Sequence, residues 1–188
     1  MRRVCLVVAA AVLVAGAAAC SEDPDPQVAP PDPPTPTVTT TPASGPVAPT
    51  LPPEAEGDDA AAAEAFVRFY WEMADYAQAT GDVSGLKALG AEGCRPCAAG
   101  VAFVEEVYDG RGSIRGGETD VSNLSTTKIK VAGDIAYQVR LNIRTTDQDV
   151  DRDPGTKKDQ FFPGGTVKAN FVVRSVDGKW LAEFWEIG

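Results

Sequence analysis

Asp134-Ile135-Ala136-Tyr137-Gln138-Val139-Arg140-Leu141-Asn142-Ile143-Arg144 decides the fold class, because Ile135, Tyr137, Val139, Leu141 and Ile143 alternate against Ala136, Gln138, Arg140, Asn142 and Arg144. A period of two places the five large apolar side chains on one face of a strand and the polar set on the other, so the segment reads as a half-buried strand that needs an apolar layer on one side only. Upstream, across Ala132-Gly133-Asp134, a second strand is expected from about Leu124 to Val131, forming a hairpin. Downstream, Thr166 to Val176 and Lys179 to Ile187 flank Asp177-Gly178, a strong short hairpin signal.

The layer that covers this sheet comes earlier in the chain. Phe66, Phe69, Tyr70, Met73 and Tyr76 recur at helical spacing between Ala60 and Ala79, which predicts an amphipathic helix. Glu64, Arg68, Glu72 and Asp75 form its other stripe, expected to face solvent with i,i+4 pairs at Glu64/Arg68 and Arg68/Glu72. Thr80-Gly81 supplies a stop. Asp82 is expected to cap a short second helix carrying Leu86 and Leu89, broken by Gly90 to Gly93. A third follows Pro96, with Val101, Val104 and Tyr108 on one face, and ends at Gly110-Arg111-Gly112. Helices first and antiparallel strands second give an α+β class, with three N-terminal helices packed on one sheet face.

The order of these elements, closing in Asp177-Gly178-Lys179-Trp180, resembles the nuclear-transport-factor-like or cystatin-like cone fold. Ala65-Phe66-Val67-Arg68-Phe69-Tyr70-Trp71, Ala79-Thr80-Gly81-Asp82 and Cys94-Arg95-Pro96-Cys97 resemble a family of uncharacterised actinobacterial lipoproteins, a domain of unknown function. The resemblance covers roughly Ala60 to Gly188 and implies a curved sheet. It brings no catalytic residues. Cone domains pair through the open sheet face, which allows a homodimer, and they include enzymes, ligand binders and docking domains alike.

The other end of the chain speaks to location. Residues 1–19 read as a signal peptide: Arg2-Arg3, an apolar run from Val4 to Val14, then Gly16-Ala17-Ala18-Ala19 directly before Cys20. The run is shorter than the roughly 20 residues a spanning helix needs. Small residues abutting a cysteine resemble a lipobox, so Cys20 is expected to carry the lipid, palmitate included, that anchors the chain on the extracytoplasmic face of the cell membrane. Ser21 to Gly57 holds 12 of the 15 prolines and six threonines with no Lys or Arg, a composition that cannot pack a core, and is expected to be a disordered stalk. The globular domain is expected over 58–188.

Composition narrows the chemistry. With 17 Lys plus Arg against 27 Asp plus Glu the net charge is -10, which repels phosphate backbones and argues against a nucleic-acid partner. The chain has no His, which excludes Ser-His-Asp and Cys-His catalysis and histidine metal ligation. Cys94 and Cys97, two residues apart at a helix start in an exported chain, are expected to form a structural disulfide; a thiol-disulfide exchange centre is the alternative. Without His or a second CxxC no zinc site is expected. Asp147, Asp149, Asp151 and Asp153 alternate but lack the Gly and Glu of a calcium loop, so with Lys157 and Lys158 they read as a solvated hairpin loop.

A candidate pocket between helices and sheet is drawn from Phe66, Tyr70, Met73, Tyr137, Trp180 and Phe184, although helical spacing favours reading the aromatic set as plain core. Tyr137, Arg140, Asn170 or Glu183 could orient a ligand there. No catalytic residue, metal or cofactor is assigned. The function expected is non-catalytic binding of a small apolar ligand or an envelope protein, with the thiol oxidoreductase or a cone-type acid–base enzyme as alternatives.

Overall fold

The computed structural model describes residues 45–155 and 159–188. The expected signal segment, Cys20, most of the stalk, Lys157 and Lys158 lie outside the described residues. Among those described, no helix is long and apolar enough to cross a membrane.

Helix α1 spans Ala60–Thr80. Asp59 caps it by accepting from the Ala62 amide at 2.9 Å. Gly81 ends it at φ 79°, where a Cβ would lie 2.6 Å from the Tyr108 ring, so both backbone and neighbour require glycine. Helix α2 spans Ser84–Leu89 and α3 spans Arg95–Asp109. Asp82 acts one residue earlier than expected of a cap: its Oδ1 accepts from both the amide and the hydroxyl of Ser84, while Val83 is the N-cap.

Strands β2 (Thr119–Val131), β3 (Asp134–Thr145), β6 (Gly165–Val176) and β7 (Lys179–Ile187) form an antiparallel sheet in the order β2-β3-β6-β7. The class is therefore α+β, with the helices preceding this sheet. A second sheet, β1-β4-β5, is built from Ser113–Gly116, Gln148–Asp151 and Gln160–Phe162. Its middle strand, β4, occupies the segment expected to be a charged loop. Val150 explains the difference: its fully buried side chain pulls an otherwise acidic run into pairing.

The core joins α1 to the sheet. Phe66, Val67, Tyr70, Met73, Val139, Leu141, Ile143, Phe171 and Val173 are buried there. Ile135 departs from its alternating partners and is exposed, because it lies at the strand's first residues, paired only with Lys130. The fold also begins before residue 58. A 3-10 turn at Pro53–Ala55 buries Ala55, and the carbonyls of Gly57 and Asp58 accept from Trp180 Nε1 and the Tyr137 hydroxyl, each at 2.9 Å. Packing thus reaches into the proline-rich stretch through buried Ala55 and the Gly57 carbonyl.

Candidate functional site

Five of the six residues drawn as a pocket come together as packing. Phe66, Tyr70, Met73, Tyr137 and Trp180 are all buried. Phe66 stacks on Trp180 at 6.1 Å between centroids and Tyr137 lies 5.8 Å from the same indole. Phe184 does not join them. It pairs with Val172 across a register shift on the other side of the sheet and stays 42% exposed. The polar candidates do not join them either: Tyr137 is spent on Asp58 and Glu183 is held by Arg174, while Arg140, which reaches Gln138, and its register partner Asn170 line a separate cavity of about 250 Å³. Helical and strand spacing put the aromatics in one layer, and that layer fills itself.

The open cleft lies further along the same layer, where the sheet outruns the core. Trp71 and Gln78 of α1, Ile143 and Thr145 of β3, Val167 of β6 and Ile187 of β7 line a cavity of about 200 Å³, with Phe162 and Pro163 on its rim. Phe162, Val167 and Ile187 remain 44%, 36% and 54% exposed, an apolar lining that water does not reward. Trp71 is fixed by edge-on contacts with Trp185 and Phe171 at 5.7 and 5.9 Å, and its Nε1 is buried without an acceptor. Sequence reading missed the rim residues, although Phe161-Phe162-Pro163, an aromatic pair outside any periodic segment, was the available signal.

Beside this cleft stands Asp75, expected to be solvated. Its Oδ2 accepts from the amide and hydroxyl of Thr119 at 3.0 and 2.9 Å, while Oδ1 is buried with no donor among the described residues. Burial pushes its carboxyl up to about 6, with the Glu118 and Glu72 charges adding to the shift and the Thr119 bonds opposing it. A smaller cavity of about 50 Å³, lined by Asp75, Ile114, Gly116 and Glu118, shares Gln78 and Gly117 with the cleft. Consecutive Gly116 and Gly117, at φ 70° and 80°, form its wall; a Cβ on the first would meet the Asp147 carbonyl at 2.0 Å. Thr146 holds the turn, accepting from the Gly117 and Glu118 amides and donating to the Glu118 carboxylate, which lowers the pKa of that group.

The cysteines are disulfide-bonded at the start of α3. Cys94 is the N-cap, its Sγ accepting from the Cys97 amide at 3.3 Å. Only 2% of Cys94 is exposed, although both cysteines lie against a cavity of about 360 Å³ that Leu86 and Val101 also line. The aspartates of the 147–153 run are not gathered on one ligand: Asp147 accepts from the Gly164 amide and Asp151 from the Asp153 amide. Among the described residues no group of three or more metal-ligating side chains occurs.

In comparison with solved structures, the intermembrane-space region of the chloroplast protein ARC6 is similar with a TM-score of 0.53 at 12% identity, covering 69% of this chain and 95% of that one. A chain designated Rd1NTF2_05, carrying five substitutions, shows a TM-score of 0.38 at 13% identity over 68% and 96%, too low to bear on the fold. Among curated proteins none matches. The family of unknown function DUF6318 matches residues 35–184, which take in α1 to α3 and nearly all of both sheets, and the chain belongs to that family.

Proposed function

We propose that this chain is a cell-envelope lipoprotein whose folded part is a non-catalytic domain that holds a small apolar ligand in the cleft between α1 and the ends of β3, β6 and β7. The observation that carries the reading is the open apolar lining of Phe162, Val167 and Ile187 around Trp71. About 200 Å³ suits a single ring with a short substituent, since an apolar cavity near 150 Å³ already takes benzene. Support for display outside the cytoplasmic membrane comes from the leader, Cys20 and the proline-rich stalk, and from the resemblance to actinobacterial lipoproteins. We read the sheet as the curved one of a cystatin-like cone, which the register shifts at Ser122/Ser125 and Val172/Val173 support by bending their strands.

Titrating 2-phenylethanol into the full chain while following the methyl groups of Ile143, Val167 and Ile187 by NMR tests the cleft. Shifts at these three, with Val173 unmoved, are expected; silence at all of them overturns the reading. Alkyne-palmitate labelling tests the anchor, and loss of the label in Cys20→Ala is the expected result. The acid–base enzyme is a second reading, favoured by one observation, a carboxyl near 6 beside the cleft. It would be carried by solvent-deuterium exchange at the α-carbon of a cleft-sized ketone, lost in Asp75→Asn. Burial of Cys94 weighs against the oxidoreductase.

A further inference from the structure

The sheet has an uncovered edge beside the cleft, and its register shows where a further strand fits. Thr145 pairs with Gly165 and Gln148 with Phe162, so β3 and β4 run against β6 and β5 in one unbroken register through the bend. β5 and β6 thus follow one another along a single edge, of which β7 covers only residues 169–176. Gln160–Phe162 and residues 165–167 have no strand on that side, and every residue from 160 to 168 except Gly164 is exposed. The Gly188 amide donates to the Lys168 carbonyl at 2.9 Å, so Lys168 aims its N–H and C=O toward β7. By the alternation of an antiparallel ladder Thr166 aims its own the same way, where no strand among the described residues receives them. Open edges are ordinarily blocked by charge or proline; Pro163 blocks the bend, but residues 165–167 carry neither.

The two faces of this gap differ. On the helix side lies the cleft, which Phe162 and Val167 line with Trp71, Ile143 and Ile187. A Cβ placed on Gly165 meets nothing within 4 Å, so space is open there too. On the other face Thr166 stands opposite Arg144 and is followed by Lys168, all three exposed. Asp120 lies opposite Arg144 and Glu186 diagonal to Lys168, yet neither cation makes an ion pair among the described residues. We propose that an extended segment of a partner protein adds a strand at this edge, with apolar residues alternating toward the cleft and an acidic residue between them opposite Thr166, within reach of Lys168 and Arg144. This rests on the reading of the cleft as an apolar ligand site and names the bearer of the ligand, a side chain of that segment. β7 already follows the pattern: Trp185 stacks on core Phe171 and Ile187 lines the cleft, while Glu186 between them accepts from Asn170 on the outer face.

The test uses the full chain and three capped peptides: Thr-Phe-Glu-Phe-Thr, the same sequence methylated on the Glu nitrogen, and Thr-Phe-Lys-Phe-Thr. Affinities are read by calorimetry while NMR follows the Thr166 amide and the methyl groups of Ile143, Val167 and Ile187. The first peptide is expected to shift all four signals. N-methylation removes the donor to the Thr166 carbonyl and is expected to weaken binding about tenfold. Lys in place of Glu is expected to weaken it about threefold, the scale of an exposed ion pair, and Lys168→Glu should reverse that order. Equal affinity for the first two peptides overturns the added strand. A charge order untouched by Lys168→Glu overturns the acidic position. Methyl shifts with 2-phenylethanol but with no peptide overturn the proposal and leave the cleft as a ligand site, whereas methyl groups silent to both overturn the cleft and the proposal together. A Thr166 amide already slow to exchange in the chain alone also overturns the partner: the occupant is then a second copy where protection rises with concentration, and the chain's own segment where it does not.

Discussion

Asp75 stabilises the fold less than its neutral isostere would. Its folded pKa, about 6, lies above the ordinary carboxyl value of 3.8, so the folded chain binds a proton more readily than the unfolded one across that interval. The stability this group contributes is full below about pH 4 and is lost as pH rises through about 6. Asp75→Asn keeps an acceptor for Thr119 without the charge, so it is expected to raise Tm at pH 7.5 and to leave it unchanged near pH 4. The full shift corresponds to about 3 kcal/mol; with part of the group solvated, about 1 kcal/mol is expected. Thermal melts at the two pH values check both sign and size. Nothing in the spacing of Glu64, Arg68, Glu72 and Asp75 distinguished this residue, because helical periodicity reports which side of α1 meets the core and not which strand edge stands beside that side.

At the scale of elements that stripe is a seam. Glu64 accepts from the Thr126 hydroxyl at 2.7 Å, Arg68 Nη1 donates to the Val121 carbonyl at 2.6 Å and Asp75 takes Thr119, so three of the four charges clamp α1 to β2. Arg68 works beside the β2 irregularity, where Asn123 sits at φ 53° and the register shifts between Ser122 and Ser125. Arg68→Ala is expected to cost about 1 kcal/mol, measured by urea denaturation, since it removes a charged donor from an exposed carbonyl. The two longer helices and β3 were legible because each repeats a period over many residues, whereas the six-residue α2 and the two long hairpins were legible from their cap and turn residues. The sheet β1-β4-β5 was not, for its strands have only three or four residues and their pairing depends on buried Ile114 and Val150 meeting across the register. The disulfide acts at this scale too. Reduction frees the Sγ that receives the Cys97 amide, so hydrogen exchange at Cys97 and Ala98 should accelerate while α1 is unaffected; unchanged rates at both would leave the bond without a role in starting α3.

For the whole molecule, the segment before α1 belongs to the fold. Ala55 is buried and the Gly57 and Asp58 carbonyls take the polar ends of Trp180 and Tyr137, whose donors would otherwise be stranded in the core. A chain beginning at residue 59 is therefore expected to melt several degrees below one beginning at residue 45, by calorimetry under identical conditions. Composition hid this, because a proline-rich run with almost no large apolar side chain reads as stalk up to its last residue, and docking through carbonyls leaves no mark in side-chain pattern.

The same docking sets a direction. The docked segment meets Trp180 and Tyr137 at Gly57 and Asp58, at the start of α1, and the cleft opens beside Gln78 near the other end of that helix, about 28 Å away by helical rise. The docked segment and the cleft therefore belong to opposite ends of α1.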